Sequence, residues 1–198
     1  NWCITEESVA LLNSYIARIN NTIDGNLFWL ANPNVLDESK LVDAFRGEVD
    51  KALFLKVTPK SDSSFHTGAL EDFFNKSNIR INNKLIHELI DVDNNGVICQ
   101  LLSLTGKPLR IDQESYIQGI VFKMDVPNTS NITHSFNKMI SLVKKCTKKL
   151  NGVLVDAGSK KIDDDYISRV YVHLKKVEQK MLSKKINPGS NIALKIFS

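Results

Sequence analysis

The run Asp93-Asn94-Asn95-Gly96, set between the apolar stretches Ile79 to Ile90 and Val97 to Leu104, restricts the fold more than any other feature of the chain. Asn and Gly tolerate positive φ at little cost, so this run closes an antiparallel hairpin between two strands. Helical patterns flank that hairpin on both sides. Thr67 to Lys76 turns Leu70, Phe73 and Phe74 to one side. The stretch after Asn131, a candidate N-cap, gathers Phe136, Met139, Ile140, Val143 and Leu150 into one apolar stripe before Gly152.

The remaining segments extend this pattern. Ala52 to Thr58, ended by Pro59, and Gly119 to Val126, stopped by Pro127, read as strands, and Val153 to Asp156 as a shorter one. Asp163-Asp164-Asp165 opens a last long helix with Ile167, Val170, Leu174, Val177 and Met181 inward, and Ile192 to Phe197 reads as one more strand after Pro188-Gly189. The order β-α-β-β-β-α-β-α predicts an α+β fold: a mostly antiparallel sheet in a split layer, with helices on one face and the other face open. Ahead of it lie a helix over 5–20, a turn at Asp24-Gly25, a short apolar run from Leu27 to Leu30 broken at Pro33, and a short helix over 36–45. Gly47 punctuates the chain after these, so residues 1–48 read as an appended helical region and 49–198 as the main domain.

Charge divides unevenly along the chain. Residues 1–50 carry 3 basic and 8 acidic side chains, net −5, whereas residues 131–186 carry 13 basic and 5 acidic, net +8. A basic C-terminal part meets nucleic acid, anionic lipid or acidic peptide, or is simply a solvated helix face. No stretch is apolar enough for a membrane span. The chain starts at Asn1 rather than Met, which leads us to expect that an N-terminal portion, with any anchor it held, has been removed.

Chemistry-bearing motifs are scarce. Cys3, Cys99 and Cys146 are scattered, without C-x-x-C spacing, which suits a reducing compartment and offers no zinc site. Asp91-Val92-Asp93-Asn94-Asn95-Gly96 imitates the start of a calcium loop. Its twelfth position is Leu102 where a bidentate Glu is needed, and strands replace the flanking helices. His66, His87, His134 and His173 lack ligand spacing, and neither a nucleophile elbow nor a phosphate loop occurs. The expectation is a binding domain without catalytic residues, metal or cofactor.

Four pieces, taken in order, resemble the C-terminal domain of the ZipA family of bacterial division proteins, which binds the tail of the tubulin-like FtsZ. They are Ala52-Leu53-Phe54-Leu55-Lys56-Val57, Lys107-Pro108, the run from Gly119 to Pro127, and the helix from Ser135-Phe136-Asn137-Lys138-Met139. Leu150 to Asp156 adds the family's glycine–apolar–Asp strand, and the resemblance spans about residues 52–182. It implies a cytoplasmic domain held at the inner membrane by an anchor upstream of this chain. It also implies a shallow apolar cleft on the sheet face away from the helices, where the FtsZ tail docks.

Carried across by strand, the resemblance implies a cleft of Ala52, Phe54 and Lys56 from the first strand and Lys84, His87 and Leu89 from the second. Leu101, Ser103, Thr105 and Lys107 would come from the third, and Val121 and Lys123 from the fourth. The period of two agrees for the first and fourth strands, since Leu53, Leu55, Val57, Ile120, Phe122, Met124 and Val126 fall on the other side. A bulge would exchange the faces of the second. Three positions depart from the family: Lys123 stands where it has a central Phe, and Lys84 and Thr105 where it has Met. One lost aromatic contact removes roughly 2–3 kcal/mol, about a hundredfold in affinity, so charge would carry part of the recognition. The alternative is a single-stranded nucleic-acid module, for which Phe54, Lys56, Lys84 and Lys123 supply one aromatic and three lysines.

Overall fold

The computed structural model describes residues 4–23, 34–61 and 63–197, in two compact units, 1–48 and 49–198. The turn expected at Asp24-Gly25, the run from Leu27 to Leu30, its break at Pro33, and Cys3 lie outside the described residues.

In the first unit, α1 (Glu6–Asn20) begins with a reciprocal cap. The Thr5 hydroxyl accepts the Ser8 amide, and Ser8 Oγ accepts the Thr5 amide. Glu6 and Glu7 sit at its positive end and Arg18 at its negative end. The next helix, α2 (Val35–Val49), runs through Gly47, which was expected to interrupt the chain. A Cβ there would meet open space, and one glycine costs a helix only about 1 kcal/mol.

The second unit is built on a six-stranded antiparallel sheet. Its elements are β1 (Ala52–Pro59), a short β2 (Phe65–His66), α3 (Thr67–Asn75), β3 (Ile79–Ile81), β4 (His87–Ile90), β5 (Val97–Leu102), a short β6 (Tyr116–Ile117) and β7 (Ile120–Asp125). After them come α4 (Ile132–Lys149), β8 (Gly152–Val155), α5 (Asp164–Ser183) and α6 (Asn191–Phe197). The sheet order is β3-β4-β5-β7-β1-β8, while β2 and β6 form a separate two-stranded ribbon. Helices α3, α4 and α5 lie on one face of the sheet, and α6 stands at the margin of the other. Gly119, just before β7, has φ +156°, and a Cβ there would lie 2.8 Å from the Val57 carbonyl oxygen. A side chain would force β7 away from β1 at that end.

The core lies between the sheet and α3, α4 and α5. Leu55 and Val57 of β1 and Ile120, Phe122 and Met124 of β7 are buried with Phe136, Met139 and Val143 of α4, and with Leu174, Val177 and Met181 of α5. Directly opposed residues of an antiparallel pair share a face. The register Leu55↔Phe122↔Leu101↔His87 therefore carries the helix-facing side across β1, β7, β5 and β4. The His87 ring packs on Phe74 of α3, with centroids 5.0 Å apart.

Four expectations fail here, each for a local reason. The segment Ile79 to Ile90 is two strands, because the Asn82 side chain accepts the Lys84 and Ile86 amides and turns the chain, with Leu85 at φ +59°. In β5, Leu89 opposes Cys99 but Ile90 opposes Val97, so a one-residue bulge at Ile98 breaks the simple alternation. Asn131 sits at the start of α4 in a left-handed conformation, but its side chain makes no capping bond. Residues 192–197, expected as a strand, belong to helix α6. Gly189 (φ +71°), whose amide bonds the Pro127 carbonyl, lets the chain turn beside Ser130 into that helix.

The central hairpin is pinned to the helical layer by charge. Lys138 of α4 donates to Asp91 Oδ1 at 2.5 Å and to Asp93 Oδ2 at 3.2 Å, and Asp91 also accepts the Asp93 amide. The Asp91 side chain is only 4% exposed. The Lys138 hydrogen bond holds its carboxyl below the ordinary value, with the Asp93 amide helping and burial opposing.

Two outcomes are expected. Leu101→Ala should lower the unfolding free energy by about 2–5 kcal/mol, whereas Phe54→Ala, on the other face, should cost under about 1 kcal/mol; urea titration of the pair checks the face assignment. Asp91→Ala should cost about 1–3 kcal/mol at neutral pH by stranding its donors. The stabilising form of Asp91 is the ionised one, present above an unfolded pKa of about 4 and lost as pH falls through its lower folded value. The gap between Asp91→Ala and the parent should therefore close in acid, which urea titrations at several pH values will read.

Candidate partner-binding site

The sheet face turned away from the helices follows from the same register. Gln100, Lys123 and Phe54 stand opposite one another on β5, β7 and β1, and β4 and β3 extend that row through Glu88 and Arg80. A second row runs Leu102, Val121, Lys56, Val155. Ala52 lies opposite Asp125 at the end of β1. Phe54 keeps 38% of its surface exposed, Lys56, Gln100 and Lys123 are half-buried, and Leu102, Val121 and Val155 are buried.

Of the residues expected in a cleft, Ala52, Phe54, Lys56, Val121 and Lys123 do share this face. His87, Leu89 and Leu101 do not. They oppose helix-facing partners and are buried in the core, so their assignment to the cleft is corrected. Lys84 is also displaced: it stands on the β3–β4 turn rather than on a strand. It nonetheless borders a hollow of about 580 Å³ with Lys123, Glu88 and Gln100, and Leu194 of α6 stands at its edge.

Ser103, Thr105 and Lys107 lie beyond the end of β5 in a tight turn. The Ser103 amide donates to the Lys107 carbonyl, and Ser103 Oγ bonds both Thr105 Oγ1 and the Lys107 amide. They border a different hollow, of about 360 Å³, with Leu104, Pro108 and Tyr116. The structure thus separates into two places what the sequence reading combined in one cleft.

The residues that sequence reasoning missed are Glu88, Gln100, Leu102 and Val155. Glu88 is a carboxylate buried on this face; its Oε1 accepts the Asn82 amide at 2.7 Å and the Gln100 amide at 3.4 Å, with Arg80 Nε 3.7 Å from Oε2. A bulge-induced exchange of parity was the only signal for it. Lys56 is tied down, donating to the Ala157 carbonyl at 2.6 Å. Among the described residues, Lys84 and Lys123 have no ion-pair partner. The face therefore offers a modest apolar surface around Phe54, beside two cations that make no direct ion pair among the described residues, with Glu88 and Asp125 on the same hollow.

Elsewhere the reactive side chains serve the fold. Burial pushes the Cys99 thiol well above its usual range and Cys146 up to about 12, so neither is a thiolate near neutrality. Burial also lowers the His87 pKa, against a smaller opposing effect of Asp112, which keeps the ring neutral in the core. In the loop that imitates a calcium site, the Lys138 ammonium occupies the two carboxylates.

A comparison with curated proteins finds no match. Residues 51–172 match the protein family described as ZipA, C-terminal FtsZ-binding domain. That span opens at β1, includes the whole β1–β7–β5–β4 register and α4, and ends within α5. The antiparallel α+β architecture agrees with it, and the chain belongs to the ZipA C-terminal FtsZ-binding domain family, a cell-division domain.

Proposed function

We propose that this domain receives the C-terminal tail of FtsZ on the sheet face formed by β5, β7 and β1, and helps hold division filaments at the inner membrane through a segment outside this chain. The observation that carries the reading is the membership of residues 51–172 in an FtsZ-binding family, joined to the row in which Phe54 and Lys123 stand side by side across β1 and β7. Phe54 supplies the exposed apolar anchor, and Val121 and Leu102 form the floor next to it. A peptide seated there is gripped by shape and apolar contact, with no chemistry done on it.

Charge changes the character of that grip. Lys123 and Lys84 border the same hollow and lack ion-pair partners among the described residues, so a tail carrying carboxylates gains attraction that an apolar cleft alone would not give. Exposed attractions of this kind are screened by salt over about 8–10 Å. The nucleic-acid alternative fares worse on the same face. Phe54 is the single aromatic ring in the two rows, so successive bases would have nothing further on which to stack.

Titrating a labelled FtsZ tail peptide with the full chain tests this directly. Saturable binding is expected at low ionic strength, weakening steadily as salt is added. Lys123→Glu and Phe54→Ala should each weaken it by about tenfold or more, the loss of roughly 1.4 kcal/mol. Leu89 and Leu101 lie on the far side of the sheet, so conservative changes there (Leu101→Met) should leave affinity within about twofold. Absence of saturable binding below millimolar peptide defeats the proposal.

A further inference from the structure

At the β8 edge of the sheet a third hollow, of about 630 Å³, opens between the C-terminal end of α4 and the start of α5. Its rim is cationic: Lys60 follows β1, Lys144 and Lys148 come from α4, and Lys161 from the loop ahead of α5. Its floor is apolar, with Val153 of β8, Ile162 and Ile167. Of the two aspartates on the rim, Asp164 is ion-paired and Asp163 keeps its charge. Asp163 caps α5 by accepting the Tyr166 amide at 2.7 Å, and Asp164 pairs with Lys144 at 2.8 Å.

Lys60 donates to the neutral Asn151 side chain and keeps its charge uncompensated. Lys148 and Lys161 are exposed and have no ion-pair partner among the described residues. Lys145 and Lys149, exposed on α4, continue the positive surface beyond the hollow. Four rim lysines against two rim aspartates leave this surface net positive, and it attracts negative charge.

We infer that this lysine-rimmed hollow docks the domain on an anionic phospholipid surface, with phosphate headgroups against Lys60, Lys148 and Lys161 and apolar carbons over Val153, Ile162 and Ile167. Three observations favour lipid over nucleic acid. No aromatic ring lines the hollow, so bases have nothing on which to stack. The rim cations are lysines, point charges on long flexible stems that reach headgroups without needing bidentate geometry. The floor is apolar, which a phosphate backbone has no use for and an acyl chain does. Clusters of about 4–8 lysines on an amphipathic helix bind acidic bilayers in this way. The site stands apart from the sheet-face reading and does not depend on it.

Co-sedimentation of the full chain with vesicles tests the inference. Vesicles of phosphatidylcholine containing phosphatidylglycerol should bind the protein, and pure phosphatidylcholine vesicles should not. The double variant Lys148→Glu with Lys161→Glu should lose at least about tenfold in affinity for the acidic vesicles, and the neutral Lys148→Gln with Lys161→Gln should fall between. Both variants should keep the parent's thermal unfolding and its affinity for the FtsZ tail peptide. Equal binding to both vesicle types, undiminished binding by the charge-reversed variant, or binding to duplex DNA without binding to acidic vesicles would each overturn it.

Discussion

Everything in the main unit hangs on the pairing of β1 with β7. Six successive residue pairs, from Ala52↔Asp125 to Val57↔Ile120, place Leu55 and Val57 beside Phe122 and Ile120 on one side and Phe54 and Lys56 beside Lys123 and Val121 on the other. A strand's side chains alternate strictly, so a slip of one residue would put Phe122 in water and Lys123 into the core. Burying an unpaired ammonium costs far more than the gain from any apolar side chain it displaces. The register is thus fixed by Lys123 as firmly as by Phe122. A lysine on the open face therefore helps to keep the sheet in register.

The same logic explains which parts of the structure were legible from sequence. β1 and β7 alternate cleanly between proline stops, and α4 carries an uninterrupted stripe at helical spacing, so their buried and outward residues could be named from pattern alone. Pattern failed where a side chain or an extra residue intervened. Asn82 turns the chain through its own side-chain hydrogen bonds, so a continuous apolar run became β3 and β4. The bulge at Ile98 then removed any simple count that could carry the face assignment through β5 and β4. Leu101 and Leu102 are both apolar and both buried, and only the partner strand decides which faces the helices. Ile192 to Phe197 is an apolar run broken only by Lys195, and so short a run fits a strand or a short helix equally well by pattern alone.

The electrostatics divide into charges that hold the fold and charges that are left over. Asp91 and Asp93 take Lys138, Asp164 takes Lys144, and Glu88 is satisfied by Asn82, Gln100 and Arg80. After those pairings Asp125 remains beside Lys123 on the open face. Lys84 and Lys123 remain on one surface, and Lys148 and Lys161 on another. A net positive domain is expected to keep some cations solvated. Two separate groups of them, each bordering a hollow with apolar residues in its wall, are a more specific arrangement than solubility requires.

Those two surfaces share a single rigid support. β1 pairs with β7 on one side and with β8 on the other, so the strand that presents Phe54 on the open face also holds the β8 edge, where Val153 stands opposite Thr58. A tail seated over Phe54 and Lys123 would leave Lys148 and Lys161 free, because they project from α4 and from the loop ahead of α5 rather than from the β5–β7–β1 face. Occupation of one site therefore need not displace the ligand of the other. For a domain of an FtsZ-binding family, a tail on the open face and an acidic surface at the lysines would be joined through the single strand β1.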